Sequence, residues 1–96
     1  MIIRIVKMTF QPDKTEQFRA VFSEVQAKIE RFPGCSGVEL LQDRANNAVF
    51  MTFSTWDNEE ALEKYRQSSL FKDTWQKTKV LFAAPAEAWS LDRLLI

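Results

Sequence analysis

The chain has 96 residues, 46% hydrophobic and 12% aromatic, a composition that separates it from disordered sequences. Thirteen Lys and Arg balance thirteen Asp and Glu, so no net field draws the chain to nucleic acid or to an anionic membrane. Histidine is absent, which excludes Ser-His and Cys-His nucleophile pairs and removes the commonest metal ligand.

A chain of this length is expected to form one domain over residues 1–96, burying roughly 60–70% of the surface its unfolded form exposes. The one cysteine, Cys35, has no partner for an internal disulfide, which suits a reducing compartment. The start MIIRIVKMTF lacks the core and cleavage site of a signal peptide, and no apolar run approaches twenty residues. The expected location is therefore the cytoplasm, without a membrane partner.

Residues Ile2 to Phe10 are β-branched and aromatic and are closed by Pro12, so they read as a strand. Ile2, Arg4, Val6, Met8 and Phe10 share one of its faces, and Ile3, Ile5, Lys7 and Thr9 the other. From Asp13 to Phe32, Phe18, Val21, Phe22, Val25, Ile29 and Phe32 recur at helical steps until Pro33-Gly34 stops the run. Cys35 reads as a small residue filling the turn below that helix end.

Gly37 to Asp43 alternates as a second strand, Asn46-Asn47 suggests a tight hairpin turn, and Ala48 to Thr55 is a third strand, apolar on both faces. Asp57 with Glu60 suggests a capping box opening a helix whose inner face is Ala61, Leu62 and Tyr65. Ser68-Ser69 interrupts and recaps the chain. The next helix turns Phe71, Trp75, Thr78 and Phe82 inward, and Glu87 to Leu94 is the last strand.

This order is the split βαβ pattern of an α+β, ferredoxin-like fold: βαββαβ with the second helix broken, and a four-stranded antiparallel sheet. Right-handed crossovers put all the helices on one face of the sheet. The opposite face stays apolar on the strands at 2–10 and 48–55, and a large apolar surface of that kind marks an interface. The expectation is a homodimer joined sheet to sheet.

The element order, the FPGC turn at 32–35 and the run W-x8-Y-x5-F-x3-W from Trp56 to Trp75 resemble the antibiotic biosynthesis monooxygenase (ABM) superfamily across essentially the whole chain. That resemblance implies a dimeric α+β barrel. The superfamily's haem-degrading branch uses a first-strand Asn, a strand-end Trp and an axial His. Here those positions hold Lys7, Trp56 and Trp75, and an indole cannot ligate iron. A second branch oxygenates polycyclic aromatic molecules without metal or flavin and also uses the strand-end Trp, with Thr52 here in place of its Asn. The resemblance thus implies a cofactor-independent monooxygenase acting on a small aromatic or enolisable substrate.

The candidate catalytic residues are Trp56, Tyr65 and Lys7, and the candidate substrate-binding residues are Trp56, Tyr65, Thr52, Phe50 and Trp75. Each has a plainer reading. The indoles Trp56, Trp75 and Trp89 suit a core, Tyr65 suits a helix edge, and Lys7 suits an aliphatic stem running past the sheet edge. Arg4 and Arg93 are expected to pair with Glu87 or Asp92. The rival functional reading is a non-catalytic ligand-binding or structural homodimer of the same fold. An RNA-recognition domain shares the element order, but NNAVFMTF (46–53) copies only the aromatic spacing of its motif, without the basic residue or the glycine.

Overall fold

Strand β1 (Ile2–Thr9) lies inside the sheet, where its apolar character on both faces belongs. The computed structural model describes residues 1–96 and places β1 between β3 (Val49–Trp56) and the edge strand β4 (Glu87–Asp92), with β2 (Cys35–Gln42) on the far side of β3. All three pairings are antiparallel, giving the order β2-β3-β1-β4 of a ferredoxin-like α+β fold. No helix is long and apolar enough to cross a membrane.

Helix α1 (Thr15–Glu30) follows a short 3₁₀ turn at Pro12–Lys14, and buries Phe18, Phe22 and Ile29. These meet Met8, Phe10, Val38, Phe50 and Trp56 from the sheet to form the core. Beyond α1 the chain turns at Gly34, which has φ +87° and which only glycine occupies without strain. A side chain there would also collide with Ala61 on helix α2 (Glu59–Arg66). Gly34 O accepts from Asp57 N at 2.8 Å, so the turn and the close approach together fix where α2 starts over the sheet.

The break between α2 (Glu59–Arg66) and α3 (Ser69–Lys79) is built by one hydroxyl. Ser68 Oγ donates to the Tyr65 carbonyl at 2.6 Å and accepts from Phe71 N at 3.1 Å, closing the first helix and capping the second. After α3, Ala83 N donates to Thr9 O and Gln11 N to Leu81 O, tying the helix end to β1 before the chain enters β4.

Three local expectations are corrected. The cap of α2 is Asn58, whose side chain accepts from Ala61 N at 2.9 Å, and not Asp57, because it is Asn58 that holds the extended backbone of a cap. The β2–β3 connection is no two-residue turn at Asn46-Asn47. No residue other than glycine has positive φ, and the loop is instead braced by Asp43 Oδ1 and Asn46 Oδ1, which accept from Ala45 N and Ala48 N. Strand β2 begins at Cys35, two residues early, through an irregularity between Cys35 and Gly37.

The register assigns the faces. Arg4, Ser54, Val38 and Ser90 form one row across the helix-covered side, and Val6, Thr52, Leu40 and Ala88 the next. On the open side the rows are Glu39, Phe53, Ile5, Trp89 and Leu41, Met51, Lys7, Glu87. Trp89 and Leu91 stay more than 40% exposed on that open face.

Candidate functional site

Between the helices and the sheet lies a cavity of about 330 Å³, at the small end of the roughly 300–1,000 Å³ typical of ligand sites. Its sheet wall includes Arg4, Val6, Thr52, Ser54 and Trp56, α1 supplies Phe18, Phe22 and Ile29, and the broken helix supplies Tyr65, Arg66, Phe71, Trp75 and Thr78.

Trp56 ends β3 on the helix side and is 1% exposed. Its indole Nε1 donates to Ser54 Oγ at 2.9 Å, so the ring presents only its apolar surface. Tyr65 stacks on it with centroids 4.8 Å apart and planes 27° from parallel. Phe71 meets Tyr65 edge-on at 5.2 Å and stacks on Trp75 at 5.7 Å. Because α2 and α3 meet at Ser68, these rings form a continuous aromatic wall from the end of β3 to the middle of α3.

Burial pushes the Tyr65 phenol well above its ordinary pKa near 10, with a smaller contribution from Cys35. The Tyr65 carbonyl takes the Ser68 hydrogen bond, and the residue lines the cavity. It is thus a neutral hydrogen-bond donor throughout the physiological range. The titration is readable directly, because Tyr65 is the chain's single tyrosine. A proton held more tightly in the folded state stabilises it below the unfolded pKa near 10, and that stability is lost as pH rises through the higher folded value. Tyrosinate absorbance is therefore expected to stay flat through pH ~10 and to rise only as the fold melts. Tyr65→Phe is expected to extend the folded range to higher pH. A reversible titration near pH ~10 in folded protein would contradict the burial.

The structure brings Trp56, Tyr65, Thr52 and Trp75 to this one cavity. Phe50 stands behind it, 1% exposed and packed against Phe10 at 5.7 Å and Phe18 at 5.4 Å. Lys7 is on the other side of the sheet, in register with Met51 and Glu87. Its odd position in β1 points it away from the cavity, so its assignment to the site is corrected. Trp89 also lies on the open face, neither core nor cavity.

The two charged residues that line the cavity, Arg4 and Arg66, were not among the candidates. Arg4 does not pair with Glu87 or Asp92. Its Nη1 donates to Ser90 Oγ at 3.0 Å. The available signals were the shared face of Arg4, Val6 and Met8, and the four-residue step from Leu62 to Arg66. No carboxylate lines the cavity, and nowhere in the chain do three or more His, Cys, Asp or Glu side chains group as metal ligands would.

The antibiotic biosynthesis monooxygenase family model matches residues 1–77. The Synechocystis protein sll1783 is 31% identical over 77 residues, 80% of this chain and 52% of that protein, so the chain spans about half the length of this curated relative. The fold coincides with a solved antibiotic biosynthesis monooxygenase at TM-score 0.92, with 16% identity and coverage of 99% of this chain and 100% of that one. It also coincides with Rv0793 from Mycobacterium tuberculosis, at TM-score 0.90 and 18% identity, covering 99% and 96%. A conserved Methanosarcina mazei protein follows at TM-score 0.91 and 19% identity, covering 98% and 94%. The continuous match through the strand-end Trp56 and the broken helix carrying Tyr65 and Trp75 makes this chain a member of the antibiotic biosynthesis monooxygenase family.

Proposed function

We propose that the protein oxygenates a small, flat phenolic or enolisable molecule with dioxygen, using the cavity walled by Trp56, Tyr65, Phe71 and Trp75. The observation that carries this reading is the cavity itself: an aromatic-walled chamber lined by one neutral phenol, that of Tyr65, with no carboxylate or imidazole to act as base. Such a site suits a substrate acidic enough to ionise by itself. The protein's part is to hold the ring, exclude water and stabilise the anion.

For an anthrone, the ring CH2 loses a proton to water and the resulting enolate passes one electron to dioxygen. The two radicals join through a C–O bond, and the distal oxygen takes up a proton to give a hydroperoxide. Loss of the remaining C–H proton while the O–O bond breaks expels hydroxide. The net change is CH2 plus O2 to C=O plus H2O. Tyr65 O–H donates to the substrate oxygen, where the enolate charge gathers.

The test is an oxygen electrode with an anthrone or hydroquinone in the presence of a metal chelator. For an anthrone, protein-dependent uptake of one dioxygen per quinone formed is expected. The absence of a base also suits a carrier of the same fold. An apolar dye displaced by the anthrone, with oxygen uptake no faster than in buffer, would establish that reading instead. We also infer that the open sheet face, with Ile5, Phe53 and Trp89 in one row, is covered by a second copy of the chain.

A further inference from the structure

Arg4 and Arg66 are the only charged side chains lining the cavity, and both are positive, although the chain as a whole has no net charge. None of the thirteen acidic residues lines it with them. Arg4 comes from the middle of β1, and Ser90 on the neighbouring strand holds its Nη1 at 3.0 Å. No carboxylate lies within ion-pair distance of it; its charge is felt chiefly against burial and against Arg66, with Glu59 a smaller opposing influence. Arg66 reaches the same chamber from the last turn of α2. Its one ion pair, with Glu63 at 3.4 Å, joins half-exposed side chains within one helical turn, a contact worth little and easily exchanged.

Arg4 and Arg66 line one largely apolar chamber and the charge of Arg66 acts against that of Arg4, a repulsion that an anion held between them would relieve. Each presents a fork of N–H donors that matches a carboxylate. We propose that Arg4 and Arg66 select a flat aromatic ligand bearing a carboxylate, its ring against Trp56, Tyr65 and Phe71 and its charge between the two guanidinium groups. This inference rests on the cavity being the ligand site. The carboxylate is a handle separate from the reacting ring position, so it sets which substrates enter and how they lie, whatever the chemistry at the other end.

Calorimetric titration with a naphthalene carboxylate and with the naphthalene methanol of the same shape tests it. The carboxylate is expected to bind roughly tenfold or more tighter at low ionic strength, and the preference is expected to shrink in ~0.5 M salt. In Arg4→Met and in Arg66→Gln, the ratio of the two affinities is expected to fall toward unity. Arg4→Lys is expected to restore only part of it, because an ammonium lacks the fork. Equal affinity for acid and alcohol overturns the anion assignment and leaves the cavity as the ligand site. A preference that survives undiminished in both arginine replacements overturns it as well. Binding of neither molecule overturns both readings.

Discussion

Trp56→Ala is expected to remove a large share of the stability of the domain. The indole is 1% exposed, stacked on Tyr65 at 4.8 Å and edge-on to Phe32 at 6.3 Å. Truncating such a ring typically costs about 3–5 kcal/mol, against a total of ~5–15 kcal/mol for a domain. At ~4–8 °C per kcal/mol for a chain of this size, the melting temperature should fall by ~12 °C or more. Trp56→Phe separates ring from hydrogen bond. It keeps an aromatic surface under Tyr65 but leaves Ser54 Oγ without the 2.9 Å bond from the indole, for a cost of about 1–2 kcal/mol. Urea denaturation of both variants, followed by circular dichroism, checks the order. A Trp56→Ala protein as stable as the parent would mean that the ring is not part of the core.

That result bears on why Trp56 resisted a single reading. Core and pocket are alternatives only when a cavity lies outside the core. Here the core opens into a chamber, and the same ring closes one and walls the other. Ring type and strand-end position made Trp56 legible, and the serine pair made the helix break legible, since a hydroxyl that can close one helix and open another leaves that trace in the sequence. Lys7 and Arg4 were a different problem. Their opposite faces follow from parity alone, yet parity does not say which face meets the helices. That depends on the register that sets Ile2 against Trp56 and Arg4 against Ser54, and β1 and β3 are joined through a helix and another strand, so no turn fixes it locally. Arg66 was within reach, because it stands one helical turn after the buried Leu62. A charged residue on an apolar stripe is easily taken for its boundary. Phe50 shares the cavity side of β3 but sits too far along it, under Phe10 and Phe18, a distance that only packing reveals.

Phe53→Glu is expected to abolish the pairing inferred for the open sheet face. Phe53 sits in the central strand pair of the open face, between Glu39 on one side and Ile5 and then Trp89 on the other. Sheet-to-sheet packing buries such a row, and two-fold symmetry presents any substitution twice. A carboxylate there must be desolvated in each copy, beside Glu39 of the same row. Burying an unpaired charge costs several kcal/mol, enough for a loss of about a thousandfold or more in association. Sedimentation velocity at micromolar concentration should give the parent chain at twice its 11.2 kDa mass and the variant at that mass. Circular dichroism should show the variant still folded, because the substitution lies on the side of the sheet away from the core. The cavity opens on the other side, so the carboxylate preference set by Arg4 and Arg66 should survive in the monomer. A parent chain that sediments as a monomer would leave the apolar row without the partner inferred for it.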